Sequence, residues 1–499
     1  MHSLIALICT ASLGFAAPES DKASKQPTAA GEATEGDLRY EATLRAEYLH
    51  GEPILVPLRV WNSGDQAQEA PDLERRPWLV AFTFDQGNGE LERRRTTPPD
   101  TDPGRTVRLS PRSQRHTLLE IPASASLSPE EYRLQITLDP DTMPKVLATN
   151  AIRVAQARPV EGDLGVGVSA ASREVLTTTW LHEATEGFDM YMSMAPYSSP
   201  SQLGPAIWLS HLDEKVRPVL SESSSGPSGK RHVVWAHQKQ GIGWLSVEGS
   251  GVESLPGRIE TPWPEIKLVG RPATDPAGTL HVPIWVPAPK GSSGELRVVS
   301  VGKRGAVSFR RAALFSQLPE SIATTVDDGG AVNVLVTTSD NIDIFTVRSG
   351  GTDMADLPLP GRRLTEAAKG ERLIDARFGL LSASDSHTGG MAVLVTAVNE
   401  TGIQSRWVGL RGGEISTIPP QPIPKDSKLV EVLADSYDSV GYLFKTGSRS
   451  ALYVEGKRQL QLETSLHGDW GLVRDAAGTP IMRRLVGGGP LEARPLTLE

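Results

Sequence analysis

Cysteine is almost missing from this chain of 499 residues: Cys9 is the only one, and it lies in an apolar run near the start. A chain with one thiol has no intramolecular disulfide and no cysteine-based metal cluster, so its core must come from burial alone. Long apolar runs are also missing after the first residues, which predicts no later membrane span. Basic blocks are missing too; net charge is −9 and spread without runs of one sign. A nucleic-acid binder is more often basic, so no nucleic-acid partner is expected. No G-x-S-x-G elbow occurs, which leaves an α/β-hydrolase nucleophile without its turn. Aromatic residues make up only 5% of the chain, while 38% is apolar and 22% charged, within the range of folded proteins.

What the N-terminus does have is LIALICTASLGFAA over 4–17. That length suits the apolar core of an export signal, with Gly14 and Ala16 as small residues before a cut at Ala17. The expectation is a signal peptide over 1–16, whose removal takes Cys9 with it, and a periplasmic or extracellular location. Residues 17–36 are rich in Pro, Ser, Ala and charge, without periodicity, and read as a flexible linker. The basic residues are mainly Arg, a composition that fits a GC-rich bacterial genome.

From 37 to 160 the apolar pattern has period two. YEATLRAEYL places Tyr40, Ala42, Leu44, Ala46 and Tyr48 on one face, and HGEP at 50–53 reads as a turn. In SLSPEEYRLQITLD, Ser128 and Glu131 have the spacing of a helix capping box. Tyr132, Leu134, Ile136 and Leu138 nevertheless repeat at two, so a strand is expected. About seven strands in ~120 residues suggest a β-sandwich. YLHGEPILVPLRVWNSGD and LSPEEYRLQITL together resemble bacterial extracytoplasmic immunoglobulin-like domains, with Glu130–Glu131 where those have Gly before the Tyr. The resemblance covers about a quarter of the chain. It implies a spacer, adhesive or partner-binding module, and it brings no catalytic residue.

Residues 161–499 continue as short strands and turns. TDPAGTLHVPIWV (274–286) and VDDGGAVNVLVTT (326–338) share an Asp, a Gly three residues on, and then an alternating strand. Related turns stand at Gly229, Gly278, Gly330, Gly389, Asp438 and Gly478. A period near ~50 residues with several short strands per unit points to a β-propeller of six or seven blades, seven favoured. The short tail 478–499 is expected to pair with strands from 165–228 and so close the ring. A row of β-sandwiches is the other arrangement with this pattern.

Candidate chemistry is sparse. LHEATE at 181–186 begins like a zinc-protease helix but has Glu186 where the second His belongs. GVGVSA at 165–170 matches a dinucleotide fingerprint, yet its surroundings are β and a strand start is expected. The turn Asp85–Glu90 carries oxygen ligands that suit calcium, and equally suits a plain hairpin. His232, His281 and Asn333 each follow their turn Gly by three residues. If their strands are innermost, these three would ring one end of a central channel; they are the binding-site candidates. Trp208, Trp235, Trp244, Trp263 and Trp285 read as blade core, with sugar stacking as the other use of such residues. No catalytic residue, metal site or cofactor is expected.

The overall expectation is an all-β protein, an immunoglobulin-like sandwich over 37–160 followed by a β-propeller over 161–499. Its expected role is non-catalytic binding or scaffolding in the bacterial cell envelope, with a protein or polysaccharide partner. A carbohydrate-active hydrolase or lyase in the propeller funnel, and a proteinase inhibitor acting through the sandwich, are the alternatives.

Overall fold

The structure is a computed structural model that describes residues 29–497, apart from segments mostly between strands, the longest being 95–103, 157–167, 197–205, 221–230, 348–360 and 382–389. The export-signal residues and the turn residues Gly229, Gly330, Gly389, Asp438 and Gly478 lie outside the described residues. The chain is all-β, and its only helical turns are two short 3-10 segments among the described residues.

The N-terminal unit has two main sheets. One runs, in spatial order, Ala29–Glu35, Leu38–Leu44, Leu55–Asn62 and Gln114–Glu120. The other runs Glu47–Leu49, Lys145–Ala155, Glu131–Leu138, Val80–Asp85 and Glu90–Arg94. The period-two pattern explains the burial: Leu38, Tyr40, Ala42 and Leu44 are buried, as are Tyr132, Leu134, Ile136 and Leu138. Both sheets feed one apolar cluster that includes Tyr40, Val56, Phe82 and Leu134. The strand expected after Ser128 is present as Glu131–Leu138.

Two expectations are corrected here. The proposed 17–36 linker includes a strand, because Ala29–Glu35 pairs antiparallel with Leu38–Leu44. An edge strand gains backbone hydrogen bonds whatever its side chains are, so weak periodicity does not forbid it. The single strand read through YEATLRAEYL is broken at Arg45–Ala46. The chain changes sheets there, and Glu47–Leu49 pairs parallel with Lys145–Ala155.

From Val168 onward the described strands form seven successive sheets, each a largely antiparallel meander. The first is Val168–Ala171, Val175–Glu183, Phe188–Pro196 and Ile207–Leu212. The fourth is Ser321–Val326, Val332–Thr337, Asn341–Val347 and Gly361–Glu366. Apolar clusters lie between consecutive sheets rather than within one. Leu181 and Met190 of the first sheet pack with Trp235 and Leu245 of the second. Leu296 and Val298 of the third pack with Val334 and Phe345 of the fourth. Ala392 and Leu394 of the fifth pack with Tyr442 and Val454 of the sixth. A sheet covered on both faces by its neighbours has no free-standing core, so the sheets must stack.

The first strands of neighbouring sheets lie close together, as with Ser321–Val326 against Arg372–Leu381, and a parallel bridge joins Arg271 to Ala323. The arrangement is β-propeller-like. Residues 470–497 form a three-stranded sheet of their own. Its first strand, Trp470–Arg474, lies against Val168–Ala171 rather than hydrogen bonding into that sheet. This corrects the expected pairing of 478–499 with the 165–228 strands. Within that tail Pro480–Val486 pairs with Trp470–Arg474 instead and Glu492–Thr497 pairs with Pro480–Val486, and it is the preceding strand, Trp470–Arg474, that meets the first sheet by packing.

One packing device recurs. Trp235 covers Gly243 on the neighbouring strand, Trp285 covers Gly294, and Phe345 covers Gly361. In each pair the missing Cβ leaves the slot that the ring fills.

Candidate functional site

The repeated Asp–Gly turn explains the surroundings of His281 and Asn333. In the third sheet Asp275 opens a tight turn, where its N–H donates to the Thr279 carbonyl at 3.0 Å and Gly278 N–H donates to the Asp275 carbonyl at 2.8 Å. Gly278 has φ +83°, a conformation that suits glycine. One carboxylate oxygen of Asp275 accepts the Thr279 N–H at 2.8 Å. The other faces Nε2 of His281 at 3.3 Å, and Nδ1 of His281 faces Ser300 Oγ at 2.8 Å. His281 and Ser300 are direct cross-strand partners.

Burial lowers the pKa of His281, outweighing the upward pull of Asp275. The ring is therefore neutral near pH 7. Its Nε2–H donates to Asp275, and its Nδ1 accepts from the Ser300 hydroxyl. Serine, histidine and aspartate in a chain of this kind are the parts of a nucleophilic triad.

The fourth sheet supplies an internal comparison. Asp327 Oδ1 accepts the Ala331 N–H at 2.8 Å, and Asn333 Nδ2 donates to Asp327 Oδ2 at 3.5 Å. Thr346 Oγ1 donates to Asn333 Oδ1 at 2.8 Å. The same three places are thus filled by Asp, Asn and Thr. Asparagine has no basic nitrogen and cannot take a proton from a hydroxyl, yet the geometry persists. What the two sheets share is a turn tied to the next strand through one polar side chain.

His232, His281 and Asn333 are all buried and stand on the second strands of the second, third and fourth sheets. His232 lies opposite Ser246 in register and near the Trp244 ring, with centroids 6.1 Å apart. Both the first strands and these second strands lie near the following sheet, as Ser321–Val326 and Val332–Thr337 both do toward Arg372–Leu381. In the third sheet a short strand, Ala273–Thr274, precedes the turn and pairs with the strand that carries His281.

A second polar cluster joins the N-terminal unit to the first of the seven sheets. Arg45 sits at the break where the chain changes sheets. Its guanidinium contacts the Glu52 carboxylate and donates to the Tyr191 hydroxyl at 3.2 Å. It lies 4.3 Å from the Tyr48 ring centroid and 4.8 Å from that of Trp208. Glu52 also accepts the Leu49 N–H at 2.8 Å and is 3% exposed. Around this core, His211 Nδ1 meets Asp189 at 2.8 Å, and His182 Nε2 lies 3.5 Å from Glu47. Leu49 packs with Trp180, Tyr191 and Ala206, and Trp180 stacks on Tyr191.

Burial pushes the Glu52 carboxyl up to about 7, against the downward pull of Arg45 and the Leu49 N–H. Burial pulls Arg45 down, but Glu52 and the two tyrosines outweigh it and keep the guanidinium charged. Burial, helped by Glu52, drives the Tyr191 hydroxyl well above its ordinary value. The cluster is closed, and its groups face each other rather than solvent.

The remaining sequence candidates fall into place simply. His182 and Glu183 lie on the strand Val175–Glu183, not on a helix. Val168–Ala171 is a strand. Asp85 and Glu90 pair at the end of a β-hairpin, with residues 87–88 outside the described set. Among the described residues, no group of three or more His, Cys, Asp or Glu is placed to hold a metal ion. No helix among them is long and apolar enough to cross a membrane. Trp235 and Trp285 are buried core residues.

No protein-family model and no curated protein matches the chain. Solved structures do resemble it. Prolyl oligopeptidase B from Galerina marginata has 8% identity over 71% of this chain and 53% of its own, with a TM-score of 0.37. This chain therefore spans about half the length of that protein. A structure of BBS1N in complex with ARL6DN has 10% identity, covers 68% and 94% of the two chains, and gives a TM-score of 0.38. The WD40 domain of SCAP from fission yeast has 10% identity, covers 66% and 77%, and gives 0.35. At these scores the propeller-like description rests on sheet order and inter-sheet packing, not on the likenesses.

Proposed function

We propose that this chain is an exported, non-catalytic binding or scaffolding protein of the bacterial cell envelope. In this reading an immunoglobulin-like sandwich carries a seven-bladed β-propeller, and a protein or polysaccharide partner binds the propeller. The observation that carries the non-catalytic part is the match between His281 and Asn333. The Asp275–His281–Ser300 constellation, which resembles a catalytic triad, is repeated in the next sheet without a base. Seven successive sheets, with the first strand of the last lying against the first strand of the first, support the blade number. The apolar run at 4–17 supports export.

The test uses the full mature chain and a panel of insoluble cell-wall and plant polysaccharides. Co-sedimentation without release of reducing ends or unsaturated products supports the reading. Turnover abolished by His281→Asn would replace it with a hydrolase that uses the Asp275–His281–Ser300 chain. A fusion of residues 1–36 to a reporter active only outside the cytoplasm tests export; an inactive reporter removes the envelope location.

A further inference from the structure

Arg45 holds a position that packing alone does not explain. It is the residue at which the chain leaves one sheet of the N-terminal unit for the other. Its side chain points across the junction to Tyr191 and Trp208 of the first following sheet. The groups that fix it come from both sides. Glu52 and Tyr48 belong to the N-terminal unit, and Tyr191 and Trp208 to the sheet beyond. A buried guanidinium is costly unless its charge and its N–H groups are all matched. Only one relative placement of the two parts supplies the Tyr191 hydroxyl together with the Trp208 ring. A shift of a few ångströms would leave the charge against apolar Leu49, Trp180 and Ala206.

Beside Arg45 are two further cross-junction or near-junction pairs. Glu47, on the N-terminal side, meets His182 of the first sheet and lies 3.8 Å from Arg153. Asp189 and His211 pair within the first sheet. The charged groups that face one another here are Arg45, Glu52, Glu47, Arg153 and Asp189, with the titratable His182 and His211 beside them.

We propose that Arg45 is a latch that fixes the N-terminal unit on the first sheet in one orientation and makes the two parts unfold together. The role is one of positioning, and it is independent of which ligand the protein binds. Its consequence is a rigid two-part body, so that a partner engaged by one part is held at a set distance from the other.

The test uses the full chain in a Cys9→Ser background with spin labels at Arg108→Cys and Lys369→Cys, both exposed. The parent should show a single narrow distance distribution and one calorimetric transition. Arg45→Met keeps the length and apolar bulk of the side chain but removes its charge and donors. It should broaden the distribution and separate the melting into two transitions. Tyr191→Phe, which removes only a hydroxyl, should broaden it less, and should add nothing further on top of Arg45→Met. Should Arg45→Met fail to fold, Tyr191→Phe alone carries the comparison. The latch is refuted if the parent already melts in two separate steps. It is equally refuted if the variant that folds leaves both the distance distribution and the melting unchanged, or if the two changes add independently.

Discussion

The pairing of aromatic rings with glycines makes a sharp prediction at Gly243. This residue pairs directly with Trp235 across the second sheet. A Cβ built on Gly243 would stand 2.0 Å from Cε2 of Trp235 and 2.2 Å from its Nε1. Non-bonded carbons prefer about 3.5–4.0 Å, so Gly243→Ala requires a displacement of roughly 1.5–2 Å. The ring is poorly placed to give way. Trp235 is 1% exposed and packs among Leu181, Met190, Leu209 and Leu245. Overpacking of this kind costs about 1–3 kcal/mol. Alanine also reduces the freedom of the unfolded chain, which returns about 0.4–1 kcal/mol. The net expectation is a loss of about 1–2 kcal/mol. Gly409 is the control: its nearest neighbour would be 3.7 Å from the new Cβ, ordinary contact, and it too is a strand residue. Gly409→Ala should be neutral or slightly stabilising. Denaturant midpoints of the two variants, taken with the same slope, make the comparison. Equal midpoints would show that the ring is not seated on Gly243 and would remove the slot explanation for the other pairs.

Three other outcomes follow from particular contacts. Asp275→Ala removes the acceptor of the Thr279 N–H and the partner of His281, and should cost about 1–3 kcal/mol. His281→Asn copies the fourth sheet and should cost well under half of that, measured by the same denaturant midpoints. Glu52 has a folded pKa of about 7, raised by burial above its usual 4.5. Its contribution is therefore fully present below about pH 4.5 and is lost as pH rises through about 7, ~3 kcal/mol in all. The difference in stability between parent and Glu52→Gln across pH 4–8 should show that slope; a flat difference refutes it. In the fifth sheet, Glu371 accepts from Gln404, Arg406 and the Ala368 N–H. Burial opposes ionisation, but these donors win and hold its pKa below the usual value. Glu371→Leu leaves the Arg406 charge, 10% exposed, without its counter-charge. It should lower stability by more than about 2 kcal/mol, whereas Glu371→Gln should lower it less.

The period-two pattern made the strands legible, since Tyr132, Leu134, Ile136 and Leu138 could not have kept one face on a helix. It did not reveal where a strand changes sheets. YEATLRAEYL alternates well enough to hide the break at Arg45, because Leu44 and Tyr48 are both buried, though in different sheets. The signal was present in Tyr48–Leu49, two apolar residues in succession just after a charged one. HGEP was legible as a turn, but a turn glutamate is ordinarily solvated, and only a partner such as Arg45 reveals Glu52 as buried. Long-range pairing of this sort leaves no mark at fixed spacing in the chain.

Repetition, by contrast, did leave a mark, and it tells more about function than any single sheet can. Seen once, Asp275, His281 and Ser300 form a hydrogen-bonded chain with the chemistry of a nucleophile, a base and an orienting acid. Seen twice, the same positions hold Asp327, Asn333 and Thr346, and the demand common to both is geometric. Each needs a carboxylate to close the turn and a planar side chain that bonds on two sides. Each also needs a hydroxyl on the next strand to donate. Histidine meets that demand only when neutral, with one ring nitrogen as donor and the other as acceptor. The burial that lowers its pKa keeps it so near pH 7. Protonating His281 would leave Nδ1 with a hydrogen to donate rather than a lone pair, and Ser300 would have to turn its hydroxyl away. Acid should therefore loosen the third sheet's turn and leave the fourth's intact. Amide exchange at Thr279 relative to Ala331 should rise as pH falls below the ordinary histidine range, after correction for intrinsic exchange rates. A constant ratio would mean that His281 does not need its neutral form to hold the turn.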